Sequence, residues 1–301
     1  MERAEIERLI GGPPRLGLDD IIHHPRMPLA RKAYLDRFLQ VYSGDPFLVR
    51  LLIESARFVL YHMAVVLEAA EDPARRETWV TVGRLKQTIA MFGLASDRQI
   101  DHLIRRLCSV GFLELLPEPG DRRVRIVKPT EALKAHDREW LAAHFTPLQV
   151  LYPDHDYAPV LRRDPQFQVM FRRQATAFVS LGAEMMHFSL DMMLFMNRAA
   201  GFPVIAALLQ GAMATPDGLH AAIPYEDVGE RFGVSRTHVR QLLVAAEETG
   251  LVKLHARGGR RVEILPRLWT SHDRGMSAGM YAHDIVYMAT QRVMQSAGQA
   301  A

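Results

Sequence analysis

Apolar positions at helical spacing fill most of the chain, and short alternating runs interrupt them in two places. Residues 2–10 read as a short helix halted by Gly11-Gly12-Pro13-Pro14. A loop rich in proline and histidine follows, then a helical stretch over about 29–42 that breaks near Ser43-Gly44-Asp45-Pro46. Leu48, Leu51, Leu52, Ala56, Val59, Leu60 and Met63 recur at helical intervals, which predicts a long, largely buried helix over 47–70. The next helix spans 81–92, and Gly93-Leu94-Ala95 is its turn. Ser96 with Gln99 three positions on forms a capping-box pattern that starts another helix, and Gly111 ends it. Residues 112–116 and 124–127 are strand candidates around a turn at 117–122, and 131–145 return to helical spacing. Proline and polar residues cluster at 150–166, the expected linker, before a methionine-rich helical region over 167–213. The last third predicts a helix over 225–232, a Gly233-Val234 turn, a helix over 235–249, and two strands ending at Ile264.

The two interrupted regions are one pattern written twice, about 139 residues apart. SDRQIDHLIRRLCSVGFLEL at 96–115 aligns without a gap on SRTHVRQLLVAAEETGLVKL at 235–254. Ser96 falls on Ser235, Ile100 on Val239, Leu103 on Leu242, Ile104 on Leu243, Gly111 on Gly250 and Leu115 on Leu254. Each copy continues into an arginine-bearing turn, Gly120-Asp121-Arg122-Arg123 in the first and Gly259-Arg260-Arg261 in the second. A helix, a turn, a second helix and a basic hairpin predict a winged helix-turn-helix, present twice. His136-Asp137-Arg138 after the first copy is echoed by His272-Asp273-Arg274 after the second.

Composition adds where the charge lies. The net charge is only +3, but residues 96–130 carry seven Arg/Lys against five Asp/Glu, and residues 235–267 carry seven against three. Basic charge therefore concentrates in the repeated units, as an anionic partner requires. The single cysteine, Cys108, excludes an internal disulfide and fits a reducing compartment; on the core side of its helix it reads as a small buried hydrophobe. No apolar run reaches the roughly 18–20 residues that span a bilayer, and the first residues, MERAEIERLIGGPP, lack a signal-type core. A soluble cytoplasmic protein is expected.

On the second helix of each copy, the residues facing away from the core are those that meet a major groove. In the first copy these include Arg98, Gln99, His102 and Arg105, with Asp97 and Asp101 adding charge of the wrong sign for phosphate. In the second they are Ser235, Arg236, Thr237, His238, Arg240 and Gln241. Arg122 and Arg123 on the first hairpin, and Arg257, Arg260 and Arg261 on the second, suit phosphate or the minor groove. Charged helix faces and hairpin tips also serve solubility alone.

The first copy resembles the MarR-type winged-helix regulators over roughly residues 80–135. The resemblance rests on the Ser96-started helix, the glycine, the strand at 112–115, Asp121 and Arg123 in Asp-x-Arg spacing, and Pro129-Thr130-Glu131-Ala132. It implies that Asp121 positions Arg123 for DNA and that Thr130 opens a helix leading to a dimer interface. Leu133 stands where the family often has glycine, and the second copy carries Gly258-Gly259-Arg260-Arg261 without the aspartate. Since family members are about half this length and dimeric, the chain looks like a fused pseudo-dimer.

The expected fold is mainly α with small β-hairpin wings: two winged-helix units in pseudo-twofold tandem joined by long helices. The division is an N-terminal helical arm at 1–45, a first unit at 46–150, a linker at 151–166, and a second unit with helical core at 167–301. The expected function is sequence-specific DNA binding in transcription regulation, by a monomeric pseudo-dimer or a homodimer. Alternatives are a replication initiator-like DNA-binding protein and a winged-helix scaffold for protein contacts. Met185, Met186, Met192, Met193 and Met196 read as helical core or a subunit interface; a small-molecule effector pocket is the other reading. Asp154, His155 and Asp156, like His23 and His24, are adjacent residues that do not converge on one ion, so no metal and no cofactor is assigned. There is no nucleophile elbow, P-loop or dinucleotide fingerprint, so catalysis has no support.

Overall fold

A computed structural model describes residues 1–42, 49, 52, 54–118, 120, 121 and 123–299. The protein is mostly helical with two small antiparallel sheets. The N-terminal segment forms α1 (Arg3–Ile10), α2 (Leu18–Ile22) and α3 (Met27–Val41). It is no free arm, because Ile6, Ile10 and Ile21 are buried and α1 and α2 lie on the C-terminal helix. After α4 (Ser55–Ala69) come α5 (Val82–Ala90), α6 (Asp97–Ser109), β1 (Leu113–Pro117), β2 (Arg125–Pro129) and α7 (Glu131–Leu151). Of the long helix expected from 47, the part before 54 falls largely outside the described residues.

The stretch expected as a linker is packed instead. Helix α7 runs on to Leu151, α8 (Ala158–Leu161) follows, and the fully buried Tyr157 donates its hydroxyl hydrogen to Asp284 at 2.7 Å. Its aromatic rings, rather than its prolines, decide the segment's place: Tyr157 packs on Phe145 and Tyr287. The methionine-rich region is broken into α9 (Pro165–Ala175), α10 (Val179–Met186), α11 (Leu190–Met196) and α12 (Gly201–Gln210). The break before α12 needs Gly201, since a Cβ there would run into the Phe195 carbonyl.

The second half continues with β3 (Met213–Thr215), β4 (Gly218–Ala221), α13 (Tyr225–Phe232), α14 (Arg236–Glu248), β5 (Val252–Leu254), β6 (Val262–Ile264) and α15 (Pro266–Gln299). The β3–β4 hairpin lies outside the sequence expectations, although Pro216-Asp217-Gly218 is a turn signal with a mechanism: Gly218 has φ +138°. Strand β4 pairs with β6, giving a sheet of order β3-β4-β6-β5. In the first half the equivalent third strand shrinks to one bridge, Thr81 with Ile126, and the Val127 N–H donates to Val80 O at 2.7 Å.

Between the two helix–turn–helix–hairpin regions the remaining helices pack reciprocally. Helix α3, preceding the first region, packs on α12 of the second; α9, preceding the second, packs on α4 of the first. The same exchange appears in two ion pairs. Arg31 on α3 binds Asp273 on α15, and Arg172 on α9 binds Asp137 on α7. Each guanidinium also lies against a tryptophan of the helix it reaches, Arg31 at 4.4 Å from the Trp269 ring centre and Arg172 at 5.6 Å from that of Trp140. The echoed His-Asp-Arg triplets thus supply the aspartates of this crossed arrangement. One apolar core runs through both halves.

Candidate nucleic-acid interface

Helices α6 and α14 are started and stopped by the same chemistry. The Ser96 Oγ accepts the Gln99 N–H while Gln99 Oε1 accepts the Ser96 N–H at 2.8 Å, closing a capping box. Ser235 Oγ accepts the His238 N–H at 3.1 Å. Gly111 and Gly250 end the helices at φ +76° and +70°, a left-handed conformation costly for other residues. Each inner face is sealed: Ile100, Ile104 and Leu107 in α6, and Val239, Leu242, Leu243 and Ala246 in α14, are buried. Leu103 is only partly so.

The outward faces differ in what their charges touch. On α14, Ser235, Arg236, Thr237, Arg240 and Gln241 are exposed, and no ion-pair partner for Arg236 or Arg240 occurs among the described residues. Arg240 lies near Tyr225, whose hydroxyl pKa burial pushes up and the arginine partly restores. His238 departs from expectation: it is half-buried, and Nε2 meets the Ala199 carbonyl at 2.8 Å. Its counterpart on α6, Gln99, is likewise engaged, through Oε1 on Ser96. The third helical position of each copy therefore serves the protein's own fold first.

On α6, Arg98, His102 and Arg105 are exposed along a groove shared with Arg57 at the start of α4. Arg105 Nε also donates to the Asp101 carbonyl at 3.2 Å. The acidic residues of this face are answered from α5: Lys86 Nζ lies 2.8 Å from Asp101 and 3.8 Å from Asp97. Only Asp101 is closely paired; the Asp97 side chain stays largely exposed.

In the first hairpin Asp121 Oδ1 accepts the Arg123 backbone N–H at 2.9 Å, so the aspartate sets the turn that carries the exposed Arg123. Arg122 lies outside the described residues. In the second hairpin Arg257 and Arg260 are exposed without an ion partner among the described residues, whereas Arg261 is paired with Asp217 of the β3–β4 turn. Gly259, at φ +77°, holds this hairpin against the preceding segment through the Ile223 N–H on its carbonyl at 2.8 Å.

A cavity of about 280 Å³ lies in the helical layer between the two regions. Met185, Met186, Met192 and Met196 line it with Tyr34, Phe58, Trp140 and Phe171, while Met193 and Phe195 are buried in the core without reaching it. Three histidines in its wall are held in one tautomer. Nδ1 of His62, His144 and His283 meets the carbonyls of Phe58, Trp140 and Gly279 at 2.9, 2.9 and 2.6 Å, and a carbonyl can only accept. Burial holds the pKa of His62 and His144 well below the usual histidine value and that of His283 down to about 4, so the rings are neutral at pH 7. The wall is apolar with imidazole acceptors and one guanidinium, Arg172, balanced by Asp137.

Cys108 is half-buried with a thiol pKa raised by burial, the environment of an inert side chain. Among the described residues no single helix is long and apolar enough to cross a membrane. No family model, no curated protein and no solved structure matches this chain.

Proposed function

We propose that this protein is a sequence-specific DNA-binding transcriptional regulator, with two winged-helix units in pseudo-twofold tandem. Helices α6 and α14 are the recognition helices, and the β1–β2 and β5–β6 hairpins are the wings. The observation that carries this reading is the outer face of α14. Arg236, Thr237, Arg240 and Gln241 stand exposed on a capped helix whose other face is fully buried, with Arg257 and Arg260 on the neighbouring hairpin. Arginines without an ion partner among the described residues suit guanine edges and phosphates, because the planar guanidinium donates two parallel hydrogen bonds to either. The crossed pairs Arg31–Asp273 and Arg172–Asp137 support the fused pseudo-dimer, since a twofold interface meets the same interaction twice. Two unequal reading faces call for two unequal half-sites.

Selection of duplexes from a random pool, followed by gel-shift titration at several salt concentrations, tests this. Replacing Arg236 and Arg240 by alanine weakens specific binding by about 1–3 kcal/mol for each base that an arginine reads, roughly thirtyfold or more for the pair when both read a base. Arg260→Ala instead lowers the salt slope by about 1 with little change in sequence preference. Equal retention of all sequences by wild type and variants would sink the reading.

The cavity is where a small-molecule effector acts in this proposal. Its largely aromatic and methionine lining, in which Arg172 is already paired with Asp137, suits an uncharged aromatic compound with a hydrogen-bond donor for an imidazole Nε2. Gly182 lines the cavity and a Cβ there meets nothing within 4 Å, so Gly182→Leu adds bulk at the wall from a backbone position that has room for a side chain. A panel of uncharged aromatic compounds should include ones that raise the melting temperature of wild type and leave Gly182→Leu unmoved. Equal shifts in both proteins would place the ligand elsewhere.

A further inference from the structure

The outer face of the four-stranded sheet gathers three side chains of metal-ligand chemistry from separate parts of the chain. His220 on β4 and Glu263 on β6 are directly opposite in the antiparallel ladder. His255 follows β5, and its backbone N–H donates to Arg261 O at 3.1 Å, which puts His255 on the same face as Glu263, one diagonal step away. One donor atom from each of the three lies within 4.8 Å of the others. The His220 and His255 rings are 5.6 Å apart, inclined at 55°.

The hydrogen bonds show which nitrogens are available. Thr215 Oγ1 lies 2.8 Å from Asp217 Oδ1, 2.9 Å from Gly218 O and 2.8 Å from His220 Nδ1. The first two can only accept, so the single hydroxyl hydrogen goes to one of them and His220 Nδ1–H donates to the threonine. Nε2 of His220 then carries a lone pair, on a side chain only 7 % exposed, and its nearest polar neighbour is a cation, Arg261 Nη2 at 3.5 Å. A lone pair facing a weakly placed guanidinium is a poorly satisfied acceptor. An oriented imidazole whose other nitrogen is held by a hydroxyl is the arrangement that presents a metal ligand. His255 donates Nε2–H to Glu263 Oε2 at 2.7 Å, and the change of tautomer that carries this proton to Nδ1 converts both atoms into ligands.

We propose that His220, His255 and Glu263 form a binding site for a divalent transition metal of the zinc class. Two imidazoles and one carboxylate select such an ion over calcium or magnesium, which take oxygen ligands. Zinc bonds of about 2.0–2.2 Å set tetrahedral donors roughly 3.3 Å apart, so the His255–Glu263 hydrogen bond opens as the ion enters, a movement of side chains while the ladder fixes the backbones. Three protein ligands leave a fourth position for water. The ion ties β4 to β6 and to the strand end beyond β5, bracing the hairpin that carries Arg257 and Arg260. Its charge also repels Arg261 from His220, so metal occupancy and the present place of that guanidinium exclude each other.

Zinc titration of the full, tag-free chain by calorimetry, with cobalt(II) as a visible-spectrum probe, reads the site without DNA, so its failure would leave the proposed DNA binding untouched. One zinc per chain is expected, with a cobalt spectrum of tetrahedral type. His255→Ala and Glu263→Gln, which alter exposed or half-exposed side chains, each abolish that stoichiometric binding, and Thr215→Val weakens it roughly tenfold to a hundredfold by releasing His220. Absence of binding by wild type, or one zinc still bound by both His255→Ala and Glu263→Gln, overturns the proposal; circular dichroism of the variants checks that they fold.

Discussion

The two helix–turn–helix–hairpin regions agree wherever a residue faces inward and part company wherever one faces out. Both begin the second helix with serine, end it with a left-handed glycine, and open the hairpin two residues after that glycine, at Leu113 opposite Pro129 and at Val252 opposite Ile264. The first then spends Lys86 on its own aspartates and uses Asp121 to shape its hairpin. The second has a four-stranded sheet, and its Arg236 and Arg240 on α14 have no ion partner among the described residues. Its turn is also shorter, Gly233-Val234 against residues 91–95, and Gly229 makes room for it: a Cβ there would stand 2.7 Å from Val234 O. Packing constrains the inner set of residues in both copies alike, whereas the outer set answers to each copy's own neighbours.

The crossed ion pairs allow the sharpest test of how equal the halves are. Asp137 is fully buried and accepts from Gln168 Nε2 at 2.7 Å and from Arg172 Nε at 2.9 Å; Arg172 itself is 5 % exposed. Asp137→Ala strands that guanidinium in the core and should cost about 3–5 kcal/mol. In the other pair the Arg31 and Asp273 side chains are 20 % and 15 % exposed. Arg31 can turn to water when Asp273 is removed, so Asp273→Ala should cost only about 1 kcal/mol. Urea unfolding of the two variants measures both. Equal losses would mean that the pairs are energetically equivalent and that burial does not separate them. The double replacement Asp137→Leu with Arg172→Met should recover most of the loss, because no lone charge remains inside.

What could be read from the sequence follows the range of the interactions. Helix starts, the capping box at Ser96–Gln99, the glycine stops and the hairpin strands depend on residues a few positions apart, and these lie where the spacing put them. Leu242, Leu243 and Val239 were legible as core for the same reason. Interactions between distant segments were not. The expectation for His238 failed because Ala199, which its ring reaches, precedes it by 39 residues. Tyr157 turned an expected linker into core by finding Asp284, 127 residues on. The His220–His255–Glu263 cluster needs the β4–β6 pairing, and that depended on a hairpin whose Pro-Asp-Gly turn was the one local clue. Reciprocity between α3 and α9 shows in the sequence only as echoed triplets, because the arginines that meet them lie far away along the chain.

The smallest expected difference concerns the two serine caps. Ser96→Ala removes a side-chain acceptor and also the hydroxyl that holds Gln99 Oε1 at 2.9 Å, whereas Ser235→Ala removes an acceptor from one N–H, with His238 anchored elsewhere on Ala199. Each change should cost about 1 kcal/mol, with the larger share at Ser96, where two reciprocal bonds are loosened. Shifts of the urea midpoint at constant slope measure this. Ser235→Asn separates the structural role from direct binding of DNA, since asparagine caps a helix as well as serine does. If Ser235 serves only as a cap, Asn keeps both stability and DNA affinity while Ala loses stability. A variant that keeps its midpoint but binds selected duplexes more weakly would put the serine hydroxyl itself on the nucleic acid, and would make the second copy the more committed reader by one more residue.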